Sequence, residues 1–172
     1  TITGRNIEVT QGLREAVEDK LGKLDRFFAP ATEAVVRLSV QKDIQKIEVT
    51  IPVKGHIIRA EESSSDMYVS IDLVEEILER QLKKYKNKLI DKKQSAPSFS
   101  EAFLQEDASA EEEIQIVKSK KFAVKPMDPE EACVQMELLG HNFYVFLNAD
   151  TEEVNVVYKR KGGTYGLIEP EF

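Results

Sequence analysis

The feature that most constrains this 172-residue chain is a break near its middle. Residues 94–113 hold six acids, no base and very few aliphatic side chains, from Gln94-Ser95-Ala96-Pro97-Ser98 to Glu111-Glu112-Glu113. Such a stretch has too little apolar surface to offset the entropy of ordering, so it reads as a disordered linker. Its ends would sit roughly 25 Å apart as a flexible coil. One continuous core is therefore excluded, and the chain divides into domains at 1–93 and 114–172. Phe99, Phe103 and Leu104 are the apolar exceptions in the linker and are compatible with a short docking helix.

The net charge of −7 argues superficially against nucleic acid, but it averages over unlike parts. Residues 1–93 carry 17 Lys/Arg against 16 Asp/Glu, and residues 114–172 carry seven against nine. A single cysteine, Cys133, excludes an intrachain disulfide and suits a cytoplasmic location. Thr1-Ile2-Thr3-Gly4-Arg5 lacks the basic start and apolar stretch of a signal peptide, and no apolar run approaches the roughly 20 residues of a membrane span.

Period and punctuation predict an α+β chain. In the first domain, residues 1–9 read as a strand ending at the N-cap Thr10. Leu13, Val17, Leu21, Leu24 and Phe28 recur as one face of a helix. Ala34 to Val40, Ile47 to Val53 and Ile57 to Glu62 alternate as strands, with Gly55 turning the last pair. Ser63-Ser64-Ser65-Asp66 caps a long second helix whose apolar stripe runs Met67, Ile71, Val74, Leu78, Leu82, Tyr85, Leu89. The order is β-α-β-β-β-α, with both helices on one face of a four-stranded sheet. The second domain reads β-α-β-β-β: a strand over Ile114–Lys125, a helix opened by Asp128-Pro129-Glu130-Glu131 and closed near Gly140, then strands over 143–147, 154–158 and 164–168.

The chemistry-bearing residues are cations on helices. Arg80 to Lys93 contains seven bases and one acid. Arg80, Lys84 and Lys88 fall within about 80° of one another on the back of the second helix. Lys20, Lys23 and Arg26 make a similar row on the first. Two such ridges flanking a groove suit RNA phosphates, although charge alone favours the plainer reading of a solvated helix back. The small second domain gives a separate reason to associate. Phe143, Val145 and Leu147 point to one sheet face, and Tyr144 and Phe146 to the other. Val154, Val156 and Tyr158 likewise oppose Val157. One helix covers one face, so the other needs a partner, most simply a second copy. Arg in place of Phe143 or of Phe146 is expected to give monomers.

No catalytic or metal constellation stands out. His56 and His141 have no nearby second His or Cys, and Cys133 sits mid-helix beside Ala132 and Met136 as a structural thiol does. Lys161-Gly162-Gly163-Thr164 is a hairpin turn, not a phosphate-cradling loop. No enzyme activity, cofactor, metal or small-molecule substrate is expected.

The residues also carry a family resemblance. Thr3-Gly4-Arg5-Asn6, Lys23-Leu24-Asp25-Arg26, Asp66-Met67-Tyr68, Ile71-Asp72 and Leu78-Glu79-Arg80-Gln81 resemble the first domain of the long-form ribosome hibernation-promoting factors. Lys125-Pro126-Met127, Gln135 to His141, Phe146-Leu147-Asn148, Val154 to Tyr158 and Tyr165 to Pro170 resemble their tail. The likeness spares only the linker. It implies a stress-response translation regulator in the cytoplasm, whose first domain occupies the tRNA/mRNA channel of the small ribosomal subunit. It places rRNA contacts on Lys20, Lys23, Arg26, Arg80, Lys84 and Lys88, with Lys83 and Lys86 as possible additions. Many members have Lys where this chain has Ile77. It further implies a tail homodimer, through Phe143, Tyr144, Val145, Phe146, Val156 and Tyr158, that pairs ribosomes into an inactive dimer. The alternative is a protein-interaction module whose basic helix docks an acidic protein such as a transcription factor.

Overall fold

The computed structural model describes residues 1–90, 96–107 and 114–172. They form two compact units, Thr1–Ile114 and Gln115–Phe172. In the first unit, β1 (Ile2–Arg5), β2 (Val35–Gln41), β3 (Ile44–Val53) and β4 (His56–Ser64) lie in that spatial order. β1 runs parallel to β2, and the other neighbours are antiparallel. The alternation sorts the faces as expected. Val36, Leu38, Ile47, Val49, Ile51, Ile58 and Ala60 are buried beneath the helices. The opposite face carries a charge ladder in which Glu48 meets Lys46 at 2.8 Å and Arg59 at 3.3 Å.

Helices α1 (Gln11–Gly22) and α2 (Met67–Lys84) share this one core with the sheet. Thr10 Oγ1 accepts the Leu13 N–H at 3.3 Å, and the Asp66 carboxylate accepts the Tyr68 N–H at 2.8 Å, so both starts are capped by the side chains expected. Buried Ser70 on α2 donates to the Gln45 carbonyl at 2.8 Å, fixing the helix against β3.

Several boundaries differ from the sequence expectation. β1 stops at Arg5, because Asn6 turns the chain with φ 56°. Helix α1 stops at Gly22, and Lys23–Phe27 tighten into a 3-10 turn. The i, i+3 spacing of that turn still buries Leu24 and Phe27 on one side. Lys20, Lys23 and Arg26 therefore do not form a single α-helical row. Tyr85, at φ −104° and ψ 17°, separates α2 from α3 (Lys86–Ile90) and interrupts the row from Arg80 to Lys88.

The expected linker needs a larger correction. Residues 108–113 and the stretch 91–95 lie outside the described residues, but the part between them is folded. A 3-10 turn over Ala96–Ser98 leads through Phe99 into α4 (Glu101–Gln105). Phe99 stacks on Phe28 with ring centroids 5.7 Å apart, and Phe103 meets Phe27 edge-on at 5.0 Å. The Ala29 N–H donates to the Ser98 carbonyl, and the Ser100 N–H donates to the Phe27 carbonyl, each at 2.9 Å. Two phenylalanines buried to 3% and 1% exposure give this strap the apolar anchorage that its average composition conceals.

The second unit contains β5 (Pro126–Met127), α5 (Pro129–Leu138), β6 (Phe143–Asn148), β7 (Val154–Lys159) and β8 (Tyr165–Ile168), with sheet order β5-β6-β7-β8. Asp128 caps α5 by accepting the Glu131 N–H at 2.9 Å. The strand expected over Ile114–Lys125 is absent; only Pro126 and Met127 pair, in parallel, with Leu147 and Asn148. Among the described residues that segment's apolar side chains stay open to solvent: Ile116 and Val117 are 90% and 88% exposed.

Candidate nucleic-acid interface and self-association face

Helices α1 and α2 lie side by side in the first unit. The Lys20 ammonium meets the Asp72 carboxylate at 2.7 Å, and the Arg26 guanidinium meets Glu79 at 2.5 Å. Because these contacts ascend both chains together, the helices run in the same direction. Glu79 also receives Lys83, one turn away on its own helix, and so bridges two cations. Hydrogen bonding from Lys83 holds the Glu79 carboxyl below the usual range, against a smaller opposing effect of burial, with Arg26 assisting. The Asp72 hydrogen bond raises the Lys20 ammonium. The seam thus joins Lys20 and Arg26 of the first expected ridge to Asp72 and Glu79 on α2, with Lys83 beside them.

The cations fall into distinct groups. Lys23, Arg80 and Lys88 are exposed and have no ion-pair partner among the described residues. Lys20, Arg26 and Lys83 are tied into the seam, and Arg26 also lies 4.7 Å above the Phe27 ring. Lys84 is half-buried with its ammonium 5.5 Å from the Tyr85 ring centroid. Lys86, considered a possible RNA contact, is instead only 5% exposed. It donates to the Glu106 carbonyl at the end of α4 and sits 5.0 Å from the Phe103 ring. Its charge anchors the strap, because a cation fits the carbonyl end of a helix.

In the second unit, α5 covers one sheet face, burying Phe146 and Val157 against Ala132 and Met136. Tyr144 packs against this cluster, and Asn148 donates to Asn155 at 2.9 Å within the same face. Phe146 and Tyr144 therefore belong to the unit's own core side and not to an open association surface. The other face presents Phe143, Val145, Leu147, Val154, Val156 and Tyr158, with Ile168 beside Val156 on β8. Phe143, Val154 and Ile168 are each more than half exposed. Tyr158 lies flat across Gly166, where a Cβ would come within 2.2 Å of its ring. This is a contiguous apolar sheet face that no helix covers among the described residues.

A family model described as Sigma 54 modulation protein / S30EA ribosomal protein matches residues 1–90, and one described as the C terminus of that protein matches residues 111–167. The chain is 48% identical over 180 residues to the ribosome hibernation promotion factor of Lactococcus lactis subsp. cremoris (strain MG1363), covering 99% of this chain and 97% of that protein. It is 44% identical to the protein of that name from Bacillus subtilis (strain 168), covering 98% and 97%. The chain belongs to the ribosome hibernation promotion factor family. Among solved structures, the N-terminal domain of Thermus thermophilus Protein Y is 36% identical and covers 49% of this chain and 93% of its own, with a TM-score of 0.44.

The hibernation-factor seam contains two residues that sequence reasoning missed. The i, i+4 spacing of Glu79 and Lys83 offered a signal for one bridge, whereas Asp72 meets Lys20 only through the fold. Ile77 packs half-buried against the core margin. Among the described residues no group of His, Cys, Asp and Glu is arranged to hold a metal, and no helix is long and apolar enough to cross a membrane. Burial pushes the Cys133 thiol up, away from a reactive thiolate.

Proposed function

We propose that this chain silences ribosomes by filling a nucleic-acid channel with its first unit and pairing with a second copy through its second unit. Family membership makes it a ribosome-associated regulator of translation, and a cytoplasmic site of action follows from that partner. The finer reading assigns the first unit to the tRNA/mRNA channel of the small subunit. Lys20, Lys23, Arg26, Arg80, Lys84 and Lys88 contact rRNA phosphates, and Lys83 joins them from the seam. The observation that supports this reading is the parallel pairing of α1 and α2, which gathers Lys20, Arg26 and Lys83 along one seam. Asp72 and Glu79 hold the long side chains extended, so fewer rotamers are lost when phosphate arrives. No bond chemistry is required: occupancy excludes tRNA and mRNA. The second unit pairs through Phe143, Val145, Val156 and Tyr158 on the open sheet face, joining two ribosomes into an inactive dimer.

Charge reversal of Arg80, Lys84 and Lys88 to Glu tests the first assignment. Co-sedimentation with small subunits should be lost while the oligomeric mass stays unchanged. Binding by the unaltered chain should weaken with salt, since each phosphate contact releases roughly 0.7–0.9 counterions. Undiminished co-sedimentation of the triple variant would remove these residues from the interface. A complex that survives ribonuclease would favour docking to an acidic protein instead.

A further inference from the structure

The second unit carries another apolar surface, distinct from the open sheet face. A groove of about 450 Å³ runs between α5 and β8, lined by Glu130, Cys133, Val134, Glu137, Leu138 and Tyr165. Its α5 residues recur at i, i+3, i+4, i+7 and i+8, the stripe by which a helix presents one side to a neighbour. Val134 and Leu138 are strongly exposed along it. β8 is the terminal strand of its sheet, so among the described residues one edge of its backbone has no strand partner. The helix is acidic: Glu130, Glu131 and Glu137 lie on it, with no base. Glu137 is already held by Lys159 at 2.8 Å and by the Tyr165 hydroxyl at 2.9 Å, whereas Glu130 and Glu131 are exposed.

The same unit supplies a segment of opposite character. Residues 115–125 carry Lys118, Lys120, Lys121 and Lys125 and no acid. Between these lie Ile116, Val117, Phe122 and Val124, all exposed. Basic and apolar residues on the arm match an apolar floor with acidic edges in the groove. Extended, residues 116–124 span about 30 Å, more than the length of α5 or β8.

The arm feeds into β5, which lies at the opposite edge of the sheet from β8. Its own groove is three strand spacings away, about 14 Å, on the far side of α5. In a two-fold pair, each arm finds one groove and each groove one arm, which closes the assembly. We propose that the Ile116–Lys125 arm of one copy docks along the α5–β8 groove of its partner, adding a second, exchanged contact to the pair. This inference rests on the homodimer reading above and extends it to residues outside the open sheet face.

Cys133, the sole cysteine, lines the groove and reports directly on the arm. Two differently tagged full-length chains are co-expressed: one keeps Cys133, and the other carries Cys133→Ser with a cysteine at Ile116, Val117, Phe122 or Val124 in turn. Pairs purified through both tags are then mildly oxidised. A disulfide joining the two chains from at least one arm position is expected, and Lys120→Glu with Lys121→Glu in the arm-bearing chain should sharply reduce its yield. Pairs recovered without any cross-link would overturn the arm exchange while leaving the homodimer standing. So would a Phe122→Cys chain retaining Cys133 that forms only an intrachain disulfide. Failure to recover any mixed pair would remove the homodimer reading and the inference together.

Discussion

The two units solve the same problem with different resources. The first sandwiches its sheet face against two helices and a strap, which bury one continuous core of twenty apolar residues among those described. The second has one ten-residue helix for a four-stranded sheet, and its buried cluster is only Met127, Ala132, Met136, Phe146 and Val157. A unit that small leaves one sheet face and one arm uncovered and is marginal alone. The first unit is thus complete as a fold and offers polar chemistry outward. The second leaves an apolar sheet face exposed among the described residues, the face proposed above as its contact with a second copy.

The largest expected effect separates the two faces of the second sheet. Phe146, 1% exposed beneath α5, should not tolerate Arg; burying that charge costs more than about 4 kcal/mol, enough to unfold so small a unit. Phe143, 60% exposed on the other face, should accept Arg without loss of folding while the chain becomes monomeric. Circular dichroism with analytical ultracentrifugation reads both outcomes. A folded, dimeric Phe143→Arg chain would show that the open face is not the contact.

Next in size is the strap. Phe103→Ala removes a buried ring from between Phe27 and Phe99 and should cost the first unit about 3 kcal/mol, measured by urea denaturation. An unchanged midpoint would mean that the unit's core ends at α3.

The smallest effect lies in the seam. Because the Glu79 carboxyl is held low in the folded state, its bridging contribution is fully present above the ordinary Glu value of about 4.3 and is lost as pH falls through the lowered one. Glu79→Gln should therefore cost less than about 1 kcal/mol at neutral pH and nothing in strong acid. Equal destabilisation at both pH values would assign Glu79 a role in packing instead of charge.

These contrasts also explain what was legible in the sequence. Period-2 strands such as Ile47-Val49-Ile51-Val53 and caps such as Thr10, Asp66 and Asp128 are local signals, and the structure follows them. The strap is hidden from a local pattern because Phe99 and Phe103 are a minority within an acidic stretch, and their value depends on Phe27 and Phe28 lying some seventy residues earlier. Lys86 looked like its neighbours on a basic helix, and only the position of Glu106 distinguishes it. The alternation after residue 114 has the period of a strand, but only Pro126 and Met127 pair in the structure. In the second sheet the alternation sorts the residues into two faces, but which face lies inside is decided by α5, which no local pattern specifies.

Sucrose-gradient sedimentation of ribosomes with the intact chain and with Phe143→Arg tests the central claim most directly. The intact chain should convert single ribosomes into a faster, paired species, and the variant should sediment with single ribosomes only. Paired ribosomes in the presence of a demonstrably monomeric variant, or no association by the intact chain at low salt, would contradict it.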